Sequence, residues 1–485
     1  MNMDNKKVAS NGLIYVVFAI LTQVINMLLI PLYTKNLAQV EYGKYELLNT
    51  IQQLLSLAIT LEVYSGMKRF FNDVKNKYHL KNTALNFSLL WGGIFFIIVY
   101  FVSPFVSKYV FNGDPQIALY LRMMVISSIL TCLISIYSSF YAMEFKAFKS
   151  AIIQLVILVL TLLFASYFVG IIREGILGIL KAVLLSNLIV FIALFILNLK
   201  QYRPKIQKHY LKKMLHYGGG MLLGQVSAWI LNLVDRFFIK GMVGYSAVAM
   251  YSIAYKIGML INPVFITPFA QIFTSFKFKV YKETNGKEKI QKMFHWYNII
   301  GCFCIFGLAI FGKIAISILA TDEYLSAYKI IPLITISYFV WGVGQFYSLG
   351  LHIANKMLLN SVIVVITAII NIVLNILLVP KLGINGAALA TIIAYLIANI
   401  LYYYFSEKYY SLGLGLWYPY KYFIIFLLLY GVYITLISPI GNLYAEFCLD
   451  ILLCLVYVVL LILFRFITVK EIKRLFDSIS NRRKK

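Results

Sequence analysis

Acidic residues are scarce in this chain: 18 Asp and Glu stand against 44 Lys and Arg among 485 residues, and charged residues make up only 13%. No loop carries an acidic cluster, and the longest loops run to only about 15–20 residues. A membrane-embedded glycosyltransferase or ligase would be expected to carry a catalytic carboxylate cluster or a large loop domain, so that class is disfavoured. Cysteine is also rare. Cys132, Cys302, Cys304, Cys448 and Cys454 all lie inside apolar runs, which indicates neither a disulfide framework nor a metal site. The five histidines never pair at ligand spacing. The run from Gly307 to Gly312-Lys313-Ile314 comes close to a phosphate-binding loop. It lacks the Ser or Thr that touches the metal and sits in an apolar helix, so it is rejected. No nucleotide domain is visible and no cofactor is called for. Transport, if that is the task, would have to draw on a gradient or the membrane potential.

What the chain has in excess is apolar surface. Hydrophobic residues are 61% of the sequence and the mean hydropathy is +0.84. Lipid is the solvent that suits such a chain, since about 20 apolar residues cross a bilayer core. About fourteen segments have that length: 11–33, 44–66, 84–107, 117–141, 150–170, 176–198, 215–239, 246–274, 296–319, 329–351, 358–380, 384–405, 421–439 and 445–467. The first follows Lys6 and Lys7, is too long for a signal peptide and is read as a retained helix. The expected fold is an all-α integral membrane protein.

The net charge of +26 could suggest nucleic acid, but its placement argues for topology. Lys68, Arg69, Lys75, Lys77 and Lys81 share one loop region, Lys200, Arg203, Lys205, Lys208, Lys212 and Lys213 another, and Lys277 through Lys292 a third. With both termini cytoplasmic, all of these and the basic tail fall on the inside, as the positive-inside rule requires. The basic runs are short loops beside anionic lipid, and no nucleic-acid partner is expected.

The second half of the chain repeats the first. Gly175-Ile176-Leu177-Gly178 returns as Gly383-Ile384-Asn385-Gly386, Phe140-Tyr141 as Phe346-Tyr347, Asn26 as Asn232 and Lys35 as Lys240, all displaced by about 206 positions. An even number of spans per repeat gives both copies one orientation, a parallel pseudo-two-fold repeat. The expected organisation is an N-lobe of six spans (1–198), a basic cytoplasmic linker (199–213), a C-lobe of six spans (214–408), two further spans (409–469) and a basic cytoplasmic tail (470–485).

Charges inside apolar spans cost about 2.5–3.5 kcal/mol each even on a lenient scale, so they mark partners or a wet cavity. Lys256, after Tyr251 and Tyr255, is read as facing a cavity. Asp235 and Arg236 lie about 100° apart on a helix, which argues against a simple self-neutralising pair. Arg236 is a candidate for an anion site, and Asp235 for orienting it or binding a coupling cation. Lys181 sits near a span end, where snorkelling is the natural reading and substrate binding the alternative. Glu62, close to Lys68 and Arg69, is read as a local salt bridge or a coupling site. Lys35 and Lys240 occupy equivalent outer ends and suit a symmetric gate or headgroup contact. The amides Gln23, Asn26, Gln225, Asn232, Asn371 and Asn375 lie within spans. Helix-to-helix hydrogen bonds are the ordinary explanation for them, and a sugar-contacting face is the alternative.

Three stretches carry a resemblance. They are Pro31-Leu32-Tyr33-Thr34-Lys35 with Glu41-Tyr42-Gly43-Lys44-Tyr45; Leu233-Val234-Asp235-Arg236-Phe237-Phe238 with Tyr251 to Lys256; and Asn371 to Asn375 with Pro380-Lys381-Leu382-Gly383-Ile384-Asn385-Gly386. Together with length and span count, they resemble the polysaccharide exporters of the MOP superfamily, the Wzx-type flippases. The resemblance implies two lobes around a cationic cavity and export of a polyprenyl-diphosphate-linked oligosaccharide across a bacterial plasma membrane. It also implies pathway partners such as a polymerase and glycosyltransferases. The lipid II flippases of the superfamily carry an arginine triad; Lys256 falls where one of these would lie. The other two have no clear match, which argues against lipid II as the cargo. A multidrug–cation antiporter of the same superfamily is the rival, and would be expected to need buried carboxylates.

Overall fold

The computed structural model describes residues 3–468, with side chains from Ile14 onward except Val16. The basic tail expected at 470–485 lies outside the described residues. Among the described residues the secondary structure is helical throughout, with no strand. The chain divides into two compact units, residues 1–249 with 319–321, and residues 250–318 with 322–485.

The first unit holds α1 (Met3–Asn36), α2 (Gln39–Thr60), α3 (Val63–Phe70), α4 (Lys77–Val110), α5 (Gln116–Met143), α6 (Ala147–Ala165), α7 (Gly175–Leu197), α8 (Lys208–Leu233) and α9 (Asp235–Met242). Helix α10 (Tyr245–Gly258) starts in this unit and continues into the second. The second unit holds α11 (Thr267–Val280), α12 (Gly286–Ile310), α13 (Gly312–Leu319), α14 (Ile331–Tyr347), α15 (Leu349–Ile353), α16 (Met357–Glu407), α17 (Phe423–Val432) and α18 (Leu443–Leu463). The compact division does not coincide with the sequence repeat: α8 and α9, which open the second repeat, pack with the first unit.

Twelve helical stretches among the described residues are long and apolar enough to cross a membrane. One of them, Met357–Glu407, contains two spans, because Gly383 breaks it with φ 57° and ψ −135°. Helix α2 has spanning length at 22 residues but carries Glu41, Lys44 and Glu46, which lower its hydropathy. Its expected span, 44–66, is also interrupted: Leu61 and Glu62 both take positive φ and separate α2 from α3. These features account for the fourteen segments read from the sequence.

Burial follows the logic of lipid. Leu90, Phe101 and Phe105 of α4 are exposed. Polar groups turn inward instead: Asn187 donates to Ser127 Oγ at 2.9 Å and to Thr131 Oγ1 at 3.2 Å. With no water in the hydrocarbon layer, such groups must find partners inside the protein. Small residues allow the closest helix crossings. A Cβ on Gly66 would lie 2.5 Å from Met214 O, and one on Gly218 2.4 Å from Leu61 O, so α3 and α8 touch backbone to backbone.

The repeat is visible in backbone conformation. Phe145 at the end of α5 and Asn355 at the end of α15 both take positive φ, 58° and 55°. The following amides bond back five residues, Lys146 to Tyr141 O (3.0 Å) and Lys356 to Leu351 O (2.8 Å), so both helices close with the same left-handed cap. Gly175 and Gly383 also share positive φ, 60° and 57°. Their surroundings differ. At Gly175 the Glu41 carboxylate accepts the Ile176 amide at 3.2 Å, an anion at the positive end of α7. A Cβ there would sit 2.1 Å from Glu41 Oε1, whereas a Cβ on Gly383 would meet nothing within 4 Å. Both alanine substitutions put a side chain on a positive-φ backbone, at a cost of about 1–3 kcal/mol. Gly175→Ala must also displace Glu41, so its unfolding midpoint in detergent is expected to fall further than that of Gly383→Ala.

Candidate functional site: a polar cleft and a basic stripe on α8 and α9

Within the first unit, α2 and α8 flank an open cleft of about 340 Å³ lined by Gln53, Ser56, Leu57, Gln225, Ala228, Trp229, Asn232 and Leu233. Most of its side-chain functional groups are neutral hydrogen-bonding ones. The Trp229 indole donates to Thr50 O at 3.1 Å, which fixes the ring against α2. The Ser56 hydroxyl donates to Ser128 Oγ at 3.0 Å, and the Asn232 amide to Ala228 O at 2.7 Å. Gln225 is exposed and its amide is open to a ligand.

The same face continues into charge. Gln225, Trp229, Asn232, Arg236 and Lys240 follow one another at steps of three, four and four residues after the first step of four, the spacing of a single helical stripe. Val234, between α8 and α9, keeps helical dihedrals (φ −66°, ψ −27°), so the stripe passes from one helix to the next. Arg236 is buried; its Nη1 donates to Asn232 O at 3.0 Å and to Asp235 Oδ1 at 3.2 Å. Asp235 and Arg236 therefore do pair, contrary to the expectation from their angular separation. An arginine on a helix points back toward the N-terminus, and its length lets the guanidinium reach both the carbonyl four residues earlier and the neighbouring carboxylate.

At the far end of the stripe Lys240 donates to Asn112 Oδ1 at 3.2 Å and lies 5.6 Å from the centre of the Tyr245 ring. Lys44 approaches the same ring at 5.8 Å and pairs with Asp114 at 2.8 Å. Asp114 lies in the turn between α4 and α5, outside the spans. The hydrogen bond from Lys44 holds its carboxyl below the usual range.

Other candidates are placed elsewhere. Lys256 is half-buried in the last turn of α10, in the second unit. Nearby, the Tyr251 and Tyr255 rings lie 5.9 Å apart and the Tyr255 and Tyr338 hydroxyls are bonded at 2.9 Å. Lys35 and Asn26 are exposed on α1, and Gln23 is half-buried there. Lys181 is paired with Glu174 at 2.7 Å rather than snorkelling free or facing a ligand; the two lie seven residues apart on one helical face. Glu62 makes no ion pair with Lys68 or Arg69. Its buried carboxylate accepts the hydroxyls of Tyr64 (3.1 Å) and Ser65 (2.6 Å), while Arg69 pairs with Asp73 and Lys68 lies over the Tyr64 ring. Asn371 and Asn375 are fully buried. Asn371 donates to Thr391 Oγ1 at 3.2 Å and Asn375 to Asn371 O at 2.9 Å, so these amides tie the two arms of α16 together and present no sugar-contacting face.

Sequence reasoning missed Gln53, Ser56 and Trp229 as cleft residues. Trp229 was within reach, because it completes the stripe between Gln225 and Asn232; Gln53 and Ser56 enter only through the crossing of α2 over α8.

Comparison with known proteins agrees with this architecture. The structure superposes on the lipid II flippase MurJ in an inward closed conformation with a TM-score of 0.73 at 15% identity, covering 94% of this chain and 99% of that one. It superposes on an inward-facing multidrug resistance MATE transporter with a TM-score of 0.65 at 15% identity, covering 81% and 95%. An uncharacterized membrane protein of Methanocaldococcus jannaschii is 24% identical over 366 residues, 68% of this chain and 69% of its own length. The fold is the one these transporters share, and the spans define a multi-pass membrane protein. The profile of the polysaccharide biosynthesis protein family matches residues 37–329, and the chain belongs to that family.

Proposed function

We propose that this protein is a flippase that moves a polyprenyl-diphosphate-linked oligosaccharide from the inner to the outer leaflet of a bacterial plasma membrane by alternating access. The observation that carries the reading is the stripe on α8 and α9. A cleft of amides, hydroxyls and an indole is continuous with Arg236 and Lys240 on one helical face. Neutral hydrogen-bonding groups suit sugar hydroxyls, and guanidinium and ammonium groups suit a diphosphate. Membership of the polysaccharide biosynthesis family supports the same cargo class. Lys256, on α10, is a further proposed substrate contact, and the lipid tail remains in the membrane. Lys35 and Asn26, exposed on α1, are left as secondary contacts.

The membrane potential is the proposed drive, with a cation gradient through Asp235 as the additional route. Each elementary charge crossing the membrane is worth about 2.3 kcal/mol per 100 mV. With the inside negative, moving a diphosphate outward and returning an empty basic site inward are both downhill. A polymerase and glycosyltransferases of the same pathway are the proposed partners. The test is translocation in proteoliposomes of a fluorescent polyprenyl-diphosphate oligosaccharide, scored by its accessibility to an enzyme outside. Flipping that accelerates with an imposed inside-negative potential is expected. No flipping with several glycans, together with efflux of cationic drugs, would overturn the reading in favour of antiport.

A further inference from the structure

The second unit contains an ionisable cluster that the cleft does not use. Lys313 opens α13, in the run whose resemblance to a phosphate loop was rejected. Its ammonium donates to Glu446 Oε1 at 2.6 Å and to Ser438 O at 2.8 Å. The same Glu446 oxygen accepts the Gly441 amide at 3.0 Å. Glu446 is fully buried, and Asp450 is 1% exposed. The two carboxylates are four residues apart on α18 and so share one face. Neither oxygen of Asp450 has a hydrogen-bond donor, and Glu446 Oε2 also lacks one.

That arrangement does not balance with both acids ionised. One ammonium faces two carboxylates in an apolar span, where an uncompensated charge costs several kcal/mol. Lys313 already neutralises Glu446. Among the described residues, the groups around Asp450 supply no cation besides Lys313: Glu446 and Cys454 lie on its own helix and Tyr433 on the π-helical turn after α17, and Tyr328 and Tyr430, which face Tyr433, are neutral. Cys302 and Cys304 on α12 lie near Tyr457 and are also neutral. A proton on Asp450 removes the excess charge. It also creates an O–H donor one helical turn from Glu446 Oε2, an acceptor that lacks a partner.

We infer that Lys313, Glu446 and Asp450 form a proton-binding site, with Asp450 holding the proton and the Lys313–Glu446 pair setting its affinity. Parting α13 from α18 would free Lys313 to compete for Asp450 and expel the proton. The cluster thus links proton occupancy to the packing of α18, which follows the repeat, against α13, which lies within it. The inference does not depend on the flippase reading.

Infrared spectroscopy of the full chain in lipid nanodiscs at neutral pH tests it, because a protonated carboxylic acid has a carbonyl stretch that the carboxylate lacks. The wild type should show this band, and Asp450→Asn, which preserves shape, should lose it. Glu446→Gln should lose it as well, since Lys313 then needs Asp450 as its counter-ion. Lys313→Met should raise it about twofold, because both acids then become neutral. A purely structural pair would not give opposite changes for Glu446→Gln and Lys313→Met. Spectra of Asp450→Asn or of Glu446→Gln that retain the wild-type band would overturn the assignment.

Discussion

Lys256→Ala is expected to abolish glycan translocation while leaving the protein folded and abundant in the membrane. Lys256 lies in an apolar helix among buried tyrosines, yet it is half-buried rather than sealed in. Carrying a cation there is costly unless it serves a ligand or a partner. Truncating one member of a desolvated charged contact costs about 2–5 kcal/mol, which is about thirty-fold to several thousand-fold in affinity. Substrate at ordinary concentration would then not be captured. Lys256→Arg keeps the charge with a planar fork in place of a point charge and should retain part of the activity. Translocation in proteoliposomes, normalised to protein reconstituted, is the measurement. Wild-type flipping by Lys256→Ala would remove this residue from the site.

The second large effect is expected at Arg236. Its guanidinium and the Asp235 carboxylate are 3.2 Å apart with side chains only 5% and 3% exposed. Removing one partner of a buried pair costs about 3–5 kcal/mol, because the other charge stays behind. Arg236→Ala should therefore unfold well below the wild type in a thermal assay in detergent. Replacing both residues together, Asp235→Leu with Arg236→Met, takes away the stranded charge and should recover much of that stability. Transport should not recover, since the stripe has lost one of its two cations, Arg236, and keeps only Lys240. A double substitution that restores both would show that the pair is structural only. An Arg236→Ala protein as stable as the wild type would show that Asp235 does not depend on it.

Much of the architecture was legible without coordinates. Apolar length and the 3.6-residue period are local properties, so spans could be counted along the chain. The repeat was legible for a related reason. Gly175 and Gly383 recur because each occupies a backbone conformation that side chains resist, and such a constraint leaves the same residue in both copies. Gln225, Asn232, Arg236 and Lys240 could be placed on one face because their spacing is helical. These conclusions need only the covalent chain and its solvent.

Tertiary structure decided which charges meet. Lys181 looked available until Glu174 was found beside it, and Glu62 looked like a partner for Lys68 until its carboxylate was found among hydroxyls. Asn371 and Asn375 carried the right chemistry for sugars, but the turn at Gly383 folds the second arm of α16 over them. Lys313 and Glu446 are separated by 133 residues, and nothing in either local sequence names the other. Local periodicity determines which way a side chain faces. The crossing of helices distant in sequence determines what it faces, and in a low-dielectric interior that partner decides whether a charge is a binding group, a structural tie or a proton carrier.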